Sequence, residues 1–274
     1  MRRLAGNRFA VAAVARRIRP NPNMKSLEVL FTPADFAGLA RRNLDDTVCV
    51  VFDVFRATSS MVTALAHGAN AIVPVAEISE ALAWREKNRG VLLAGERDGL
   101  RIRAELTGGV DFDLGNSPRE FTGDRVQGKT IVMSTTNGTR ALRSCAHAQQ
   151  VLISCFLNLK ATADWLRNEN PEQLLLVCSG TFEQSAYEDV LAAGALCELC
   201  WPDQPELERS DATRMARRLF QQARADLSAA AADSRNGRRL LSRPELSGDV
   251  PFCLRLDATP IVGALGEDGM VRAV

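Results

Sequence analysis

Ser134-Thr135-Thr136-Asn137-Gly138-Thr139-Arg140 follows the apolar run Thr130-Ile131-Val132-Met133 and precedes Ala141-Leu142-Arg143-Ser144-Cys145. The run reads as a buried strand and the continuation as the first turns of a helix. A strand that passes through hydroxyls, a glycine and an arginine into a helix can build an anion site. First-turn N–H groups lack intrahelical partners, the helix start carries partial positive charge, and glycine lets the backbone approach a ligand closely. The hydroxyls and the guanidinium add donors suited to phosphate-type oxygens. The plainer alternative is that Asn137 or Thr136 caps the helix and the rest is turn chemistry.

Other polar groups weigh against the plainer alternative. Asp53, Arg56, Thr58 and Ser59 follow the continuous apolar run Thr47–Phe52, Glu96 and Arg97 follow Val91–Ala94, and Ser179-Gly180-Thr181 follows Gln173–Cys178. Open α/β sheets bind ligands at the carboxyl ends of their strands, so these groups converge on one anion site. The carboxylates Asp53, Glu96, Asp113, Glu188 and Asp189 suit a hard cation such as Mg²⁺. Arginines and hydroxyls suit the oxygens of a phosphoryl group. His67 and His147 both lie on helical segments and read as ordinary helix residues.

Familiar phosphate motifs are missing: neither a glycine-rich loop ending in Gly-Lys-Ser/Thr nor Gly-x-Gly-x-x-Gly occurs. A phosphatase built on two aspartates two residues apart would need an acid where Phe55 stands. Cys197 and Cys200 fall in mid-helix among apolar residues and read as core thiols. Cys178 stands at a strand end beside Ser179; a core thiol is expected, with a site thiol as the alternative.

The elements that position these groups alternate. Strands are expected at Leu27–Phe31, 47–52, 71–75 (with Pro74 marking an end or edge), 91–94, 130–133, 150–155 and 173–178. Helices are expected after Ser60, from a Ser79 cap, from an Asn158 cap and from a Ser185–Glu188 capping box. Residues 98–128 are glycine-rich and lose the rhythm. Buried strands alternating with helices argue a three-layer α/β/α fold on a mostly parallel sheet. Residues 24–274 read as one domain with a polar helical appendage near 203–245.

Length, 274 residues, and a hydrophobic content of 46% suit a globular enzyme. A net charge of +1 and 5% aromatic residues give no footprint for nucleic acid or anionic membrane. Seven scattered cysteines suggest reduced thiols and a cytoplasmic protein. Residues 1–23 contain six arginines and no acid and read as a disordered extension.

Taken in order, Asp53-Val-Phe-Arg56-Ala57-Thr58-Ser59-Ser60, Gly95-Glu96-Arg97, Asp113-Leu114-Gly115-Asn116-Ser117-Pro118, Ser134–Arg140 and Glu188-Asp189 resemble the motifs of the 2-phosphosulfolactate phosphatases. The resemblance runs from about Leu27 to Ile261 and is weak over 203–240; Asp111 stands where that family commonly has glycine. It implies an α/β/α topology peculiar to the family and a Mg²⁺-dependent phosphatase that converts 2-phospho-3-sulfolactate to 3-sulfolactate for coenzyme M. Carried onto this chain, Asp53, Arg56, Glu96 and Arg140 are the expected catalytic groups, and Asp53, Glu96 and Asp189 the expected metal ligands. Thr58, Ser59, Asn116, Ser117, Thr135, Thr136, Asn137, Gly138, Thr139 and Ser179 are the expected substrate-binding residues. The expected partner is a small anionic phosphorylated substrate; a homodimer is left open.

Overall fold

A computed structural model describes residues 23–200 and 207–274. The arginine-rich lead therefore lies outside the described residues, apart from Asn23. Among the described residues the strands are β1 (Ser26–Leu30), β2 (Thr47–Phe52), β3 (Ala71–Val75), β4 (Leu92–Arg97), β5 (Leu100–Arg101), β6 (Thr130–Ser134), β7 (Gln150–Ser154), β8 (Gln173–Cys178), β9 (Glu208–Arg209), β10 (Gly263–Leu265) and β11 (Val271–Ala273). They form one sheet in the order β5-β4-β6-β3-β11-β10-β7-β2-β8-β1-β9. The fold is α/β with a mixed, mostly parallel sheet. Every residue of β2 is buried, so both its faces are covered, as its unbroken apolar sequence requires.

Two parallel sets, β4-β6-β3 and β7-β2-β8-β1-β9, flank the antiparallel β10–β11 hairpin. β10 runs antiparallel to β7, and β11 antiparallel to β3. Laid flat, this connection would send the carboxyl ends of the two sets to opposite edges. The sheet is not flat. The helix Gly138–Ser144 touches both β2 and β3, although β7, β10 and β11 stand between them in the order. β11 meets β3 only at the Val271–Ile72 pair. Twist of a fixed hand accumulates over such a span, and the sheet curls around the helix until the ends of both sets meet.

That junction also accounts for Pro74. β3 is an interior strand, not an edge, but Pro74 lies beyond the single pair with β11, so its missing N–H removes no ladder bond on that side. Three expected caps differ, the first being the Ser185–Glu188 capping box, because that helix runs over Tyr187–Cys200 and Glu188 Oε1 accepts from Asn236 instead. The helix Ile78–Lys87 begins before Ser79, with Glu77 at its N-cap position. Asn158 does precede the helix Leu159–Glu169, but its side chain does not cap it. Instead its Oδ1 accepts from the Cys155 N–H at 3.0 Å and its amide donates to the Ile261 carbonyl at 3.0 Å, tying the tail to the end of β7.

Within the polar segment, the helix Asp211–Ala223 buries Ala216 and Phe220 in the main core. It packs against Tyr187–Cys200 so closely that a Cβ on Gly194 would stand 2.1 Å from the Ala216 carbonyl oxygen. This helix thus packs into the main core. No helix among the described residues is long and apolar enough to cross a membrane.

Candidate active site

Where the strand ends meet, a cleft of about 210 Å³ opens, smaller than the pockets that take drug-sized ligands. Asp53, Phe55 and Arg56 enter it after β2; Glu96, Arg97, Asp98 and Gly99 come from β4 and its turn; Thr135, Thr136 and Asn137 follow β6. Asn116, Thr181, Phe182, Asn236, Arg239 and Leu240 complete the lining.

β2 delivers Asp53 to the start of the helix Ala57–Ala66. The Asp53 Oδ1 accepts from the Ala57 N–H at 3.1 Å, and the Thr58 hydroxyl both donates to the Asp53 carbonyl (2.9 Å) and accepts from its N–H (3.0 Å). Gly138 brings the β6 loop against this carboxylate: a Cβ there would stand 2.9 Å from Asp53 Oδ2 and 2.9 Å from Ala57 Cβ. Only glycine fits that approach.

Glu96 is held from two sides. Its Oε1 accepts from the Thr136 N–H (3.2 Å) and hydroxyl (2.9 Å), and its Oε2 from the Gly99 N–H (2.6 Å). The expected anion cradle therefore does bind an anion, but part of it is occupied by the protein's own carboxylate. Asp98 and Gly99, with φ of 56° and 78°, form the two-residue turn between the paired Arg97 and Leu100. Asp-Gly is a strong hairpin signal, present but unread within the glycine-rich stretch.

Arg56 is buried and anchored. Its Nη1 donates to Asp249 Oδ2 at 2.7 Å and its Nη2 to the Gly99 carbonyl at 2.7 Å. Asp249, fully buried at the start of the helix Asp249–Cys253, also accepts from the Ser117 hydroxyl (2.6 Å) and Arg119 Nε (2.8 Å). One carboxylate thus joins the end of β2, the Asn116-Ser117-Pro118 loop and the C-terminal segment.

The carboxylates repel one another in poor solvent. Burial pushes Asp53 up to about 7, and the Glu96 and Glu188 charges push it the same way. Burial raises Asp189 well above the usual carboxylate range, with Glu188 and Asp53 adding to it. Glu188 is raised by burial too, although Asn236 donates to its Oε1 at 2.6 Å. Its Oε2 is buried without a partner, as is the Oδ1 of Asn116.

A family model described as 2-phosphosulpholactate phosphatase matches residues 36–268, a span that contains every residue of the cleft. The chain belongs to that family. A protein of Pseudothermotoga lettingae named "Probable 2-phosphosulfolactate phosphatase" is 39% identical over 249 residues, covering 90% of this chain and 98% of the relative. Proteins of the same name from Caldicellulosiruptor saccharolyticus and Carboxydothermus hydrogenoformans are each 36% identical, covering 78% and 89% of this chain and 87% and 96% of their own. These relatives are named as phosphatases, and this chain is an enzyme of the phosphoric monoester hydrolase class.

Relative to the motifs that carry the family resemblance, the structure sorts the expected residues. Asp53, Arg56, Glu96, Asn116, Thr135, Thr136 and Asn137 line the cleft. Gly138 lies directly behind Asp53. Thr58, Ser59, Ser117, Thr139 and Ser179 do not line it. The Ser59 hydroxyl donates to the Val54 carbonyl at 2.8 Å, Thr139 pairs with Thr135 at 3.0 Å, and Ser179 is buried with its N–H on the Phe52 carbonyl at 2.8 Å. Asp189 is also outside the lining: its oxygens accept from the Val54 N–H (2.8 Å) and Gly180 N–H (3.3 Å), joining the ends of β2 and β8. Arg140, expected in the cleft, turns to the surface, where it pairs with Glu183 and lies 5.9 Å from the Phe36 ring. The first turn of its short helix presents Gly138 and Asn137 inward, and position 140 falls on another face.

Asp249, Asn236, Arg239 and Phe182 went unread, because nothing local marks them as neighbours of the strand ends. Cys178 is buried and outside the cleft, its thiol pushed well up by burial, which suits a core thiol. The histidines bond carbonyls, His67 that of Phe121 and His147 that of Leu39.

Among the described residues no group of three or more His, Cys, Asp or Glu forms a metal cage. Mg²⁺ does not need one: it commonly takes one or two carboxylates and completes its shell with water and substrate oxygens. Asp53 and Glu96 on the cleft wall, with the unpartnered Asn116 Oδ1 nearby, fit that donor set.

Proposed function

We propose that the protein hydrolyses 2-phospho-3-sulfolactate, or a close phosphorylated hydroxy acid, to the free hydroxy acid and phosphate in a Mg²⁺-dependent reaction. The observation that carries this is the pairing, in one small cleft, of the carboxylates Asp53 and Glu96 with the arginines Arg56 and Arg97. Family membership supports it.

Asp53 and Glu96 would hold Mg²⁺, which when bound supplies positive charge to the phosphoryl oxygens and the developing transition state. Arg56, fixed by Asp249 and Gly99, presents its charge to the phosphoryl group without having to reorganise. Burial and the Glu96 and Glu188 charges lift Asp53 to about 7 in the metal-free cleft, and a bound cation would offset that repulsion and hold Asp53 ionised as its ligand. Thr135, Thr136 and Asn137 line one side of the cleft, and Thr136 positions Glu96.

The test is phosphate release from 2-phospho-3-sulfolactate, 2-phospholactate and phosphoglycolate, with Mg²⁺ and with EDTA. The expected result is Mg²⁺-dependent turnover, fastest on the sulfonate-bearing ester. Turnover in EDTA would remove the metal from the reaction. Tight binding with no phosphate release would make the cleft a metabolite sensor.

A further inference from the structure

We propose that Arg239 is the specificity-determining residue that receives the substrate's second anionic group, the carboxylate or sulfonate it carries besides phosphate. The proposal rests on the hydrolase assignment above and names what that site selects.

Among the described residues three arginines line the cleft, and they differ in what their donors already do. Arg56 is committed to Asp249 and to the Gly99 carbonyl, each at 2.7 Å. Arg97 donates to the Glu96 carbonyl (2.7 Å), the Ala76 carbonyl (3.2 Å) and the Ser134 hydroxyl (3.0 Å). Among the described residues, Arg239 has only a loose ion pair, 3.9 Å from Asp98, whose side chain is 87% exposed. That separation is too long for a hydrogen bond, and an exposed pair of this kind contributes little. Its guanidinium fork is therefore available to a ligand, and a fork matches the paired oxygens of a carboxylate or sulfonate.

The backbone that carries Arg239 is held in place. Asn236, Arg239 and Leu240 stand three and four residues apart on the helix Arg235–Leu241, so one face of it walls the cleft. The Asn236 amide anchors that face, donating to the Thr181 hydroxyl at 2.8 Å and to Glu188 Oε1 at 2.6 Å. The Ser234 hydroxyl caps the helix by accepting from the Gly237 N–H at 2.9 Å. Arg239 also lies against the Asp98-Gly99 turn: a Cβ on Gly99 would be 3.3 Å from its Nη2. The same Gly99 accepts from Arg56 and donates to Glu96, so Arg239 stands next to the catalytic groups and not at a remote rim.

The experiment compares Arg239→Ala and Arg239→Lys with the wild type, full-length, on 2-phospho-3-sulfolactate, 2-phospholactate and glycerol 2-phosphate, which carry two, one and no further anionic groups. Binding of 3-sulfolactate, which has no phosphate, is measured in parallel by calorimetry. Arg239→Ala is expected to raise KM for phosphosulfolactate about ten- to a hundredfold, the effect of losing a charge-assisted hydrogen bond. The loss on glycerol 2-phosphate should be at least fivefold smaller, kcat should move less than KM, and Lys should restore part of the difference. The alanine variant should weaken 3-sulfolactate binding by a similar factor. An equal loss on all three esters would make Arg239 a phosphate clamp and overturn the proposal, as would no loss on any. If the wild type released phosphate from none of them, the hydrolase assignment would fall. The binding comparison would still decide Arg239, because equal binding by wild type and Arg239→Ala, or none by either, refutes its role.

Discussion

The cleft is walled on one side by strand ends and on the other by the C-terminal helices, and the two walls treat charge differently. On the strand-end side the polar groups largely answer one another. Glu96 takes the donors of Thr136 and Gly99, Thr135 pairs with Thr139, and Asp53 accepts from the Ala57 N–H. On the helical side Asp249 holds Arg56 in place, while Arg239 finds no hydrogen-bond acceptor for its guanidinium among the described residues. The strand ends thus hold a buried, mutually repelling set of carboxylates for chemistry. The helices steady that set and face the part of the ligand that varies.

The largest effect expected on this contrast comes from Asp53→Asn, which should lower phosphate release about 10³-fold, the size expected for losing one group that supports transition-state charge. The same change should stabilise the fold without metal above pH 7. Asp53 titrates near 7 in the folded chain against an ordinary value of 3.8, so the native state holds the proton longer than the unfolded one. Stability then falls as pH rises from about 4 to about 7, by roughly 1.4 kcal/mol per unit for a single group. Melting curves of the two proteins should diverge with pH and meet near pH 4. A constant gap would show that Asp53 is not the group responsible.

Next in size is Asp249→Ala, which leaves Arg56 buried without its carboxylate. A loss of about 3–5 kcal/mol is expected for breaking such a pair from one side. Because Arg56 is a substrate-side charge, kcat should fall as well, and Asp249→Asn, which keeps one of the two acceptor oxygens, should recover part of both. Wild-type melting and wild-type kcat in the alanine variant would remove Asp249 from the site's framework.

The smallest effect is expected at Arg140, whose ion pair with Glu183 is exposed on both sides. Arg140→Ala should change kcat/KM by less than about twofold, as for other exposed pairs. A tenfold loss would return Arg140 to the cleft and put the strand-end wall in need of redrawing.

Much of the strand-end wall was legible because its signals are local. An unbroken apolar run such as Thr47–Phe52 can only be comfortable between two covered faces, and whatever polar residue follows it emerges at an edge. Asp53, Glu96 and Thr135–Asn137 were found this way. The hydroxyls at Thr58, Ser59, Ser117 and Thr139 were harder, since a short hydroxyl reaches a neighbouring carbonyl as readily as a ligand, and here each found a protein partner. The Asp98-Gly99 turn was readable from its dipeptide alone.

The amino-acid sequence by itself determined the α/β alternation, the buried strands and the chemistry gathered at their ends, because these follow from apolar runs and residue types within a few positions. Tertiary structure alone decided how those ends come together. The chain's last strands, β10 and β11, enter the middle of the sheet, set its two halves antiparallel, and let accumulated twist curl them around Gly138–Ser144. Tertiary structure also decided which arginines matter: Arg140 turned outward, Arg56 was anchored by Asp249, almost two hundred residues away in the chain, and Arg239 was left without a hydrogen-bond acceptor among the described residues. A guanidinium's partners are set by what other segments bring near it, and no local pattern records them.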